Sequence, residues 1–264
     1  MENEYGICRV SIAPLRSDPK DQAEIVSQLL FGDQVLILER LEKWLKVRNV
    51  YDDYEGYVDF KQLESAQLNA PDQDAERQFI APAAALNSLT LEDGSKIYLP
   101  AGSNLPGYTP GACLIGARVF KIDFEPLALQ FDQPVDNVIS NAMFFQHAPY
   151  LWGGRTLFGI DCSGFVQIVY KMAGIKLQRD ASQQALQGNT VHFLPEVQPG
   201  DVAFFDNDEG RIIHVGILLN QKEIIHASGA VRIDPIDDQG IYNRELKRYT
   251  HKLRIIKRFL NARS

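Results

Sequence analysis

Three side chains stand out for the chemistry they could share: Cys162, His214 and His226. Cys162 sits in "GIDCSGFVQIVYKMAGI", directly after an aspartate and at the mouth of a run with helical spacing. A free thiol has a pKa near ~8.5, and only its thiolate is a strong nucleophile. The first turn of a helix presents unpaired N–H groups and a partial positive charge, and both favour the anion. A histidine arriving from elsewhere could pair with it as imidazolium. His214 and His226 lie in "IIHVGILLN" and "EIIHAS", two apolar strand-like segments joined by a turn at Gln221-Lys222. In an antiparallel pair the two rings can lie side by side, one as general base and the other orienting it. The remaining histidines, His147, His192 and His251, have polar or loop-like surroundings and show no partner in the sequence. Cys8 and Cys113 read as buried strand cysteines.

These residues need elements to hold them. From Cys162 to Ala173, residues 162, 165, 166, 169 and 173 fall on one apolar face, and Gly174 is placed to end the helix. An earlier helix is predicted in "VDNVISNAMFFQHA", with Val135, Val138, Ile139, Ala142 and Phe145 on one side. "RDASQQALQG" predicts a short helix with Asp180 as N-cap and Gly188 as terminator. "DVAFFD", the two histidine segments and "RIIKRFL" predict strands in succession. Helices followed by consecutive strands define an α+β domain, here residues 135–264.

The rest of the chain reads as β. Short strands with turns between them suggest a small barrel over residues 1–65, with a helix as an alternative for "DQAEIVSQLLFG" at 21–32. The polar stretch 64–77 predicts a linker, and 76–131 a second small β-module, including "AAALNSL", "KIYLP" and "ACLIGARVFKIDF".

Composition bounds the rest. The 264 residues are 45% hydrophobic and 23% charged, an ordinary globular profile, and the net charge of −7 argues against a nonspecific nucleic-acid binder. No apolar run approaches the ~18 residues that span a bilayer. "MENEYGICRV" lacks a basic start and an apolar secretory core, which implies a cytoplasmic protein. Three dispersed cysteines and no helical i, i+4 histidine pair predict neither a disulfide framework nor a metal site, and no cofactor.

"PYLWGG", "GIDCSGFVQ", "LQRDASQQ", "VQPGDVAFF", "IIHVGILL" and "IIHAS", in this order, resemble the NlpC/P60 family of bacterial cell-wall peptidases over residues 135–260. The β-modules resemble bacterial SH3-like domains, and the combination is similar to the γ-D-glutamyl-L-diamino acid endopeptidases. The resemblance implies a papain-like catalytic domain behind two small SH3-like barrels. It implies Cys162 as nucleophile, His214 as base and His226 as the orienting residue. It further implies substrate contacts at Asp161, Ser163, Asp180, Trp152, Ser182 and, in the first module, Tyr54 and Glu24. Ala181 stands where the branch often has a serine after the aspartate, with Ser182 following. By itself each has a plainer reading: Trp152 as core, Tyr54 as a barrel residue, Asp161 and Asp180 as helix caps. The implied substrate is a murein peptide, L-Ala-γ-D-Glu-diamino acid with a free amino end. Two other readings stay open at this level: a murein-peptide binding protein with an inactive catalytic domain, and an N-acetylmuramoyl-L-alanine amidase.

Overall fold

A computed structural model describes residues 4–66, 78–129 and 135–259. It divides at residues 130 and 131 into two compact units.

In the N-terminal unit, β1 (Tyr5–Cys8), β2 (Ile12–Arg16), β3 (Ile25–Leu30), β4 (Gln34–Arg40), β5 (Trp44–Asn49), β6 (Glu55–Asp59) and β7 (Leu63–Ala66) form one antiparallel sheet in the order β3-β2-β6-β5-β4-β1-β7. Leu29 of β3 and Leu63 of β7 stand at opposite ends of that order yet enter one core with Leu15, Val35, Val47 and Val58. The sheet therefore curls around a single interior. The helix considered for 21–32 does not form: Ile12 to Arg16 pair with Leu30 to Ile25 instead. The reason lies in burial. Ser27 to Leu30 are all buried, so both faces of β3 are covered and the period-2 alternation that marks a half-exposed strand disappears. The end of the expected linker, Glu64–Ala66, belongs to β7, and 67–77 lie outside the described residues.

The chain continues with β8 (Phe79–Ile80), β9 (Asn87–Thr90), β10 (Lys96–Leu99), β11 (Ala112–Ile115), β12 (Arg118–Ile122) and β13 (Leu127–Ala128). Four of these make a sheet in the order β10-β9-β12-β11, and β8 pairs with β13. Their core, which includes Leu89, Leu99, Ile115 and Phe120, also takes in Ile7 and Phe31 from the first sheet region. Phe31 meets Phe120 edge to face at 5.3 Å. Gly32 marks how closely the two pieces approach. Its φ is +78°, and a Cβ there would lie 2.4 Å from the Asn104 carbonyl oxygen.

The C-terminal unit is mostly β, with three α-helices among the described residues: α1 (Val135–Phe144), α2 (Cys162–Met172) and α3 (Ala181–Gln184). Its strands are β14 (Arg155–Thr156), β15 (Gly159–Ile160), β16 (Asn189–Val191), β17 (Val202–Asp206), β18 (Ile212–Leu218), β19 (Glu223–Ser228), β20 (Ala230–Pro235), β21 (Gly240–Asn243) and β22 (Arg248–Arg258). The main sheet is antiparallel in the order β16-β22-β17-β18-β19-β20, with β21 on β22. Val138 and Ala142 are buried along one side of α1, as their spacing predicts, and Phe145 is buried just past its end. Helix α2 is not amphipathic in place: all eleven of its residues are buried, between α1 and strands β18 and β19. On its polar side Gln167 donates to the Leu177 carbonyl at 3.1 Å and the Tyr170 hydroxyl to that of Gly200. Gly174 follows α2 at φ +77°, the left-handed stop its position predicts. Helix α3 ends at Gln184, earlier than expected. Short i→i+3 bonds to Leu186 and Gln187 carry the chain on toward Gly188. No described helix is long and apolar enough to cross a membrane.

Candidate active site

The site starts at the head of α2. Asp161 has extended backbone angles and caps the helix, its carboxylate accepting from Gly164 N–H at 2.6 Å. The same carboxylate accepts from Gly153 N–H at 2.9 Å and takes both Arg179 amino groups, at 3.1 and 2.6 Å. Arg179 also donates to the Ser163 hydroxyl at 2.9 Å. One buried ion pair thus ties the "WGG" loop, the helix start and the segment before α3 together. Two glycines permit the approach. A Cβ at Gly164 would lie 2.3 Å from the Gly154 carbonyl oxygen, and one at Gly154 would lie 2.4 Å from that of Gly159. Gln184 of α3 adds a hydrogen bond to the Ser163 carbonyl at 3.0 Å.

Cys162 is the first residue of α2 and is 8% exposed. Its sulfur meets the backbone N–H groups of Ser163 and of Val215, the residue after His214. Burial pushes the thiol up to about 12, the Asp161 charge adds to this, and Arg179 and the two N–H groups oppose it. The expectation of a thiolate stabilised by the helix start is therefore overturned. With solvent excluded, desolvation outweighs the helix-end field. The resting group is a neutral thiol that needs a base.

His214 lies on the neighbouring strand. Gly216 of β18 pairs with His226 of β19, which sets the two rings within reach, His214 Nε2 lying 2.8 Å from His226 Nδ1. β17 carries register irregularities around Phe205, directly opposite His214. Irregularities of this kind re-aim side chains at a sheet end. Burial, then His226 and His251, hold the His214 imidazole well below its ordinary range, so its ring is neutral.

Two partners escaped the sequence reading. On β20, Asp234 accepts from His226 Nε2 at 3.0 Å, and Arg232 lies 2.7 Å from the same carboxylate oxygen. Burial raises the Asp234 carboxyl, but the His226 and Arg232 hydrogen bonds overcome this and leave it below its ordinary value. The available signal was an aspartate inside a strand-like "AVRID", where the residue type is disfavoured. The second is His251 on β22, whose ring stacks on His214 with centroids 4.0 Å apart. Burial lowers its pKa to about 4. Its hydrogen-bond partner is the Thr250 hydroxyl, 2.9 Å away.

The other expected residues are placed as follows. Trp152 is 61% exposed, so it is not a core aromatic. Tyr150, two residues earlier, was passed over. Burial raises its phenol to about 12, and the electrostatic influence of Cys162 and Asp161 adds to the rise. Asp180 precedes α3 as its N-cap, its N–H donating to Gln183 Oε1 at 3.3 Å, and Ser182 is exposed on that helix. Tyr54 and Glu24 belong to the N-terminal unit. The Tyr54 N–H bonds Asp52 at 3.2 Å, and Glu24 is exposed just before β3. Cys8 and Cys113 are buried and free, with thiols raised by desolvation to about 12. Among the described residues, no group of three or more His, Cys, Asp or Glu is arranged to hold a metal ion.

A buried cysteine at a helix start, a neutral histidine on the adjacent strand and a second histidine hydrogen-bonded behind it make a site for thiol-dependent acyl transfer. Comparison with known proteins agrees. Residues 147–250 match the NlpC/P60 family, and residues 15–63 match the bacterial dipeptidyl-peptidase SH3 domain. A γ-D-glutamyl-L-lysine dipeptidyl-peptidase of Bacillus subtilis is 31% identical over 217 residues, covering 77% of this chain and 72% of that one. Dipeptidyl-peptidase 6 of Lysinibacillus sphaericus is 29% identical over 267 residues, covering 89% and 93%. The crystal structure of an NlpC/P60 family protein from Bacillus cereus superposes with a TM-score of 0.81 over 97% of this chain at 22% identity, a likeness of fold. The chain belongs to the NlpC/P60 family of cysteine peptidases, with an SH3-like domain at its N-terminal end.

Proposed function

We propose that this peptidase cleaves the bond between γ-D-glutamate and the following diamino acid in short murein peptides that begin with a free L-Ala. The hydrogen-bonded His214–His226 pair at 2.8 Å, beside a Cys162 thiol that needs a base, carries the reading. Support for the substrate comes from the curated relatives, named for γ-D-glutamyl-L-lysine or dipeptidyl peptidase activity. The catalytic unit is read as papain-like and the stretch 76–131 as a second SH3-like module, with domain limits of 1–65, 76–131 and 135–264.

The chemistry follows from the protonation states. His214 Nε2 is engaged with His226, which leaves Nδ1 to take the Cys162 proton. The sulfur attacks the γ-carbonyl as that proton moves, so no isolated thiolate forms in the buried site. Negative charge develops on the carbonyl oxygen, where the N–H of Cys162 at the helix start helps to hold it. His214 then donates its proton to the leaving amine, and a thioester to L-Ala-γ-D-Glu remains. Water, deprotonated by His214, resolves it to free dipeptide and thiol. The Asp161, Ser163, Asp180, Ser182 and Trp152 side chains are proposed to line the substrate. The Asp161 carboxylate reaches it only together with Arg179, because both its oxygens already accept from the protein.

Tyr54 and Glu24 are proposed to recognise the free amino end, a role resting on the family resemblance. A peptide whose amine is acylated loses that charge, at roughly thirty- to a thousandfold in kcat/KM. Such selectivity suits the recycling of peptides already released from glycan. The test is incubation with L-Ala-γ-D-Glu-L-Lys, its meso-diaminopimelate analogue and their N-acetyl forms, with products read by mass. Release of L-Ala-D-Glu from the free peptides is expected. Equal cleavage of the N-acetylated forms would remove the amine-recognition role, and cleavage only at a muramoyl-alanine amide would replace the proposed bond.

A further inference from the structure

We propose that Asp234 is a positioning residue that sets the tautomers of both histidines, extending the Cys162–His214–His226 set to a fourth member. This rests on the reading of His214 as base. The chain of contacts runs from His214 Nε2 to His226 Nδ1 at 2.8 Å and from His226 Nε2 to Asp234 Oδ2 at 3.0 Å. Asp234 is 2% exposed and lies two residues along β20 from Arg232, which pairs directly with His226 across the ladder. That offset puts its carboxylate on the His226 side of the sheet, in diagonal reach.

The logic is one of donors and acceptors. An ionised carboxylate only accepts, so His226 Nε2 must carry a hydrogen. Neutral His226 then has a bare Nδ1, which is an acceptor. His214 Nε2, facing it, must donate, and neutral His214 is left with a bare Nδ1. That lone pair is the one the proposed mechanism uses. With the opposite tautomers, His214 Nδ1 would carry a hydrogen and could not take the thiol proton. Arg232 keeps the carboxylate ionised through contacts of 2.7 and 3.0 Å, and Glu245 lies 3.5 Å from the same guanidinium. His251 also packs on the pair, stacked on His214. Its Nδ1 is turned to Thr250, so it does not compete for the His214–His226 bond.

The direct test is ¹⁵N NMR of the histidine rings in the parent protein at neutral pH. Protonated Nε2 and bare Nδ1 are expected on both His214 and His226; a protonated Nδ1 on either neutral ring overturns the assignment. Asp234→Asn removes the bias, and kcat is expected to fall about a hundredfold with KM within threefold and the fold retained by circular dichroism. Asp234→Glu, which keeps an acceptor-only group, should recover part of that loss. If Asp234→Asn is too unstable to assay, the parent spectra still decide. A fall in kcat of less than threefold in a folded Asp234→Asn protein overturns the proposal. The expected tautomers in a protein that cuts no γ-D-glutamyl peptide would sink the proposed substrate and leave this assignment standing.

Discussion

At the scale of single residues, proton positions govern the site more than charge does. Cys162 is held neutral by burial, with its pKa near 12, and His214 is held neutral well below its ordinary value. The two roles are unequal. In the proposed mechanism His214 moves a proton in both half-reactions, so His214→Ala is expected to cost about 10³- to 10⁴-fold in kcat. His226→Ala should cost roughly a hundredfold, and His226→Gln less than about tenfold, because an amide oxygen still accepts from His214 Nε2. A larger loss at His226 than at His214 would reverse the assignment. The same group of buried imidazoles sets a pH dependence of stability. His251 drops from 6.5 to about 4 on folding, and His214 falls in the same direction. Below about 6.5 the unfolded chain binds protons that the folded one refuses. Stability is therefore complete above that pH and falls as pH drops toward 4. Asp234 adds its own loss only below the ordinary carboxylate range. Thermal midpoints from pH 8 to 4 should show this decline, and His251→Phe should flatten it while keeping the stack. An unchanged slope in that variant would mean His251 titrates normally.

Among elements, helix α2 and the β18–β19 hairpin do the positioning. Asp161 caps the helix and is itself held by Arg179, so helix start, loop and thiol move together. Gly164 is the tightest point. Its alanine would put a methyl carbon 2.3 Å from the Gly154 carbonyl and 2.9 Å from Asp161. Gly164→Ala is expected to destabilise by about 1–3 kcal/mol and to lower kcat more than tenfold through the displaced loop. A melt within one degree of the parent and unchanged kinetics would show that the loop yields freely. Much of this was legible beforehand. Cys162, His214 and His226 could be paired because a helix start and two strands with a short turn are local patterns. Asp234 could not, because β20 follows β19 through the tight Ser228–Gly229–Ala230 turn and carries its carboxylate inside a strand. His251 has polar neighbours and lies ahead of the expected last strand, and only the sheet order, β22 and β18 flanking β17, gives it a partner. Strand β3 resembled a helix because its two covered faces erase the alternation.

The whole molecule joins a β-rich N-terminal unit to a catalytic unit in which one fully buried helix faces an antiparallel sheet. In the N-terminal unit, the core shared by Ile7 and Phe31 with Leu89 and Phe120 makes the two β-pieces fold together. In the catalytic unit, the burial that stabilises α2 is the same burial that raises the thiol, so stability and reactivity are opposed at one atom. In the proposed mechanism the histidine pair resolves that opposition by taking the proton as the bond forms. The central claim is that the Cys162 sulfur is the nucleophile. The most direct measurement is the rate of L-Ala-γ-D-Glu-L-Lys cleavage by Cys162→Ala, purified free of the parent protein and checked for an unchanged melt. Activity below about a thousandth of the parent rate is expected. Cleavage within tenfold of the parent would contradict the account.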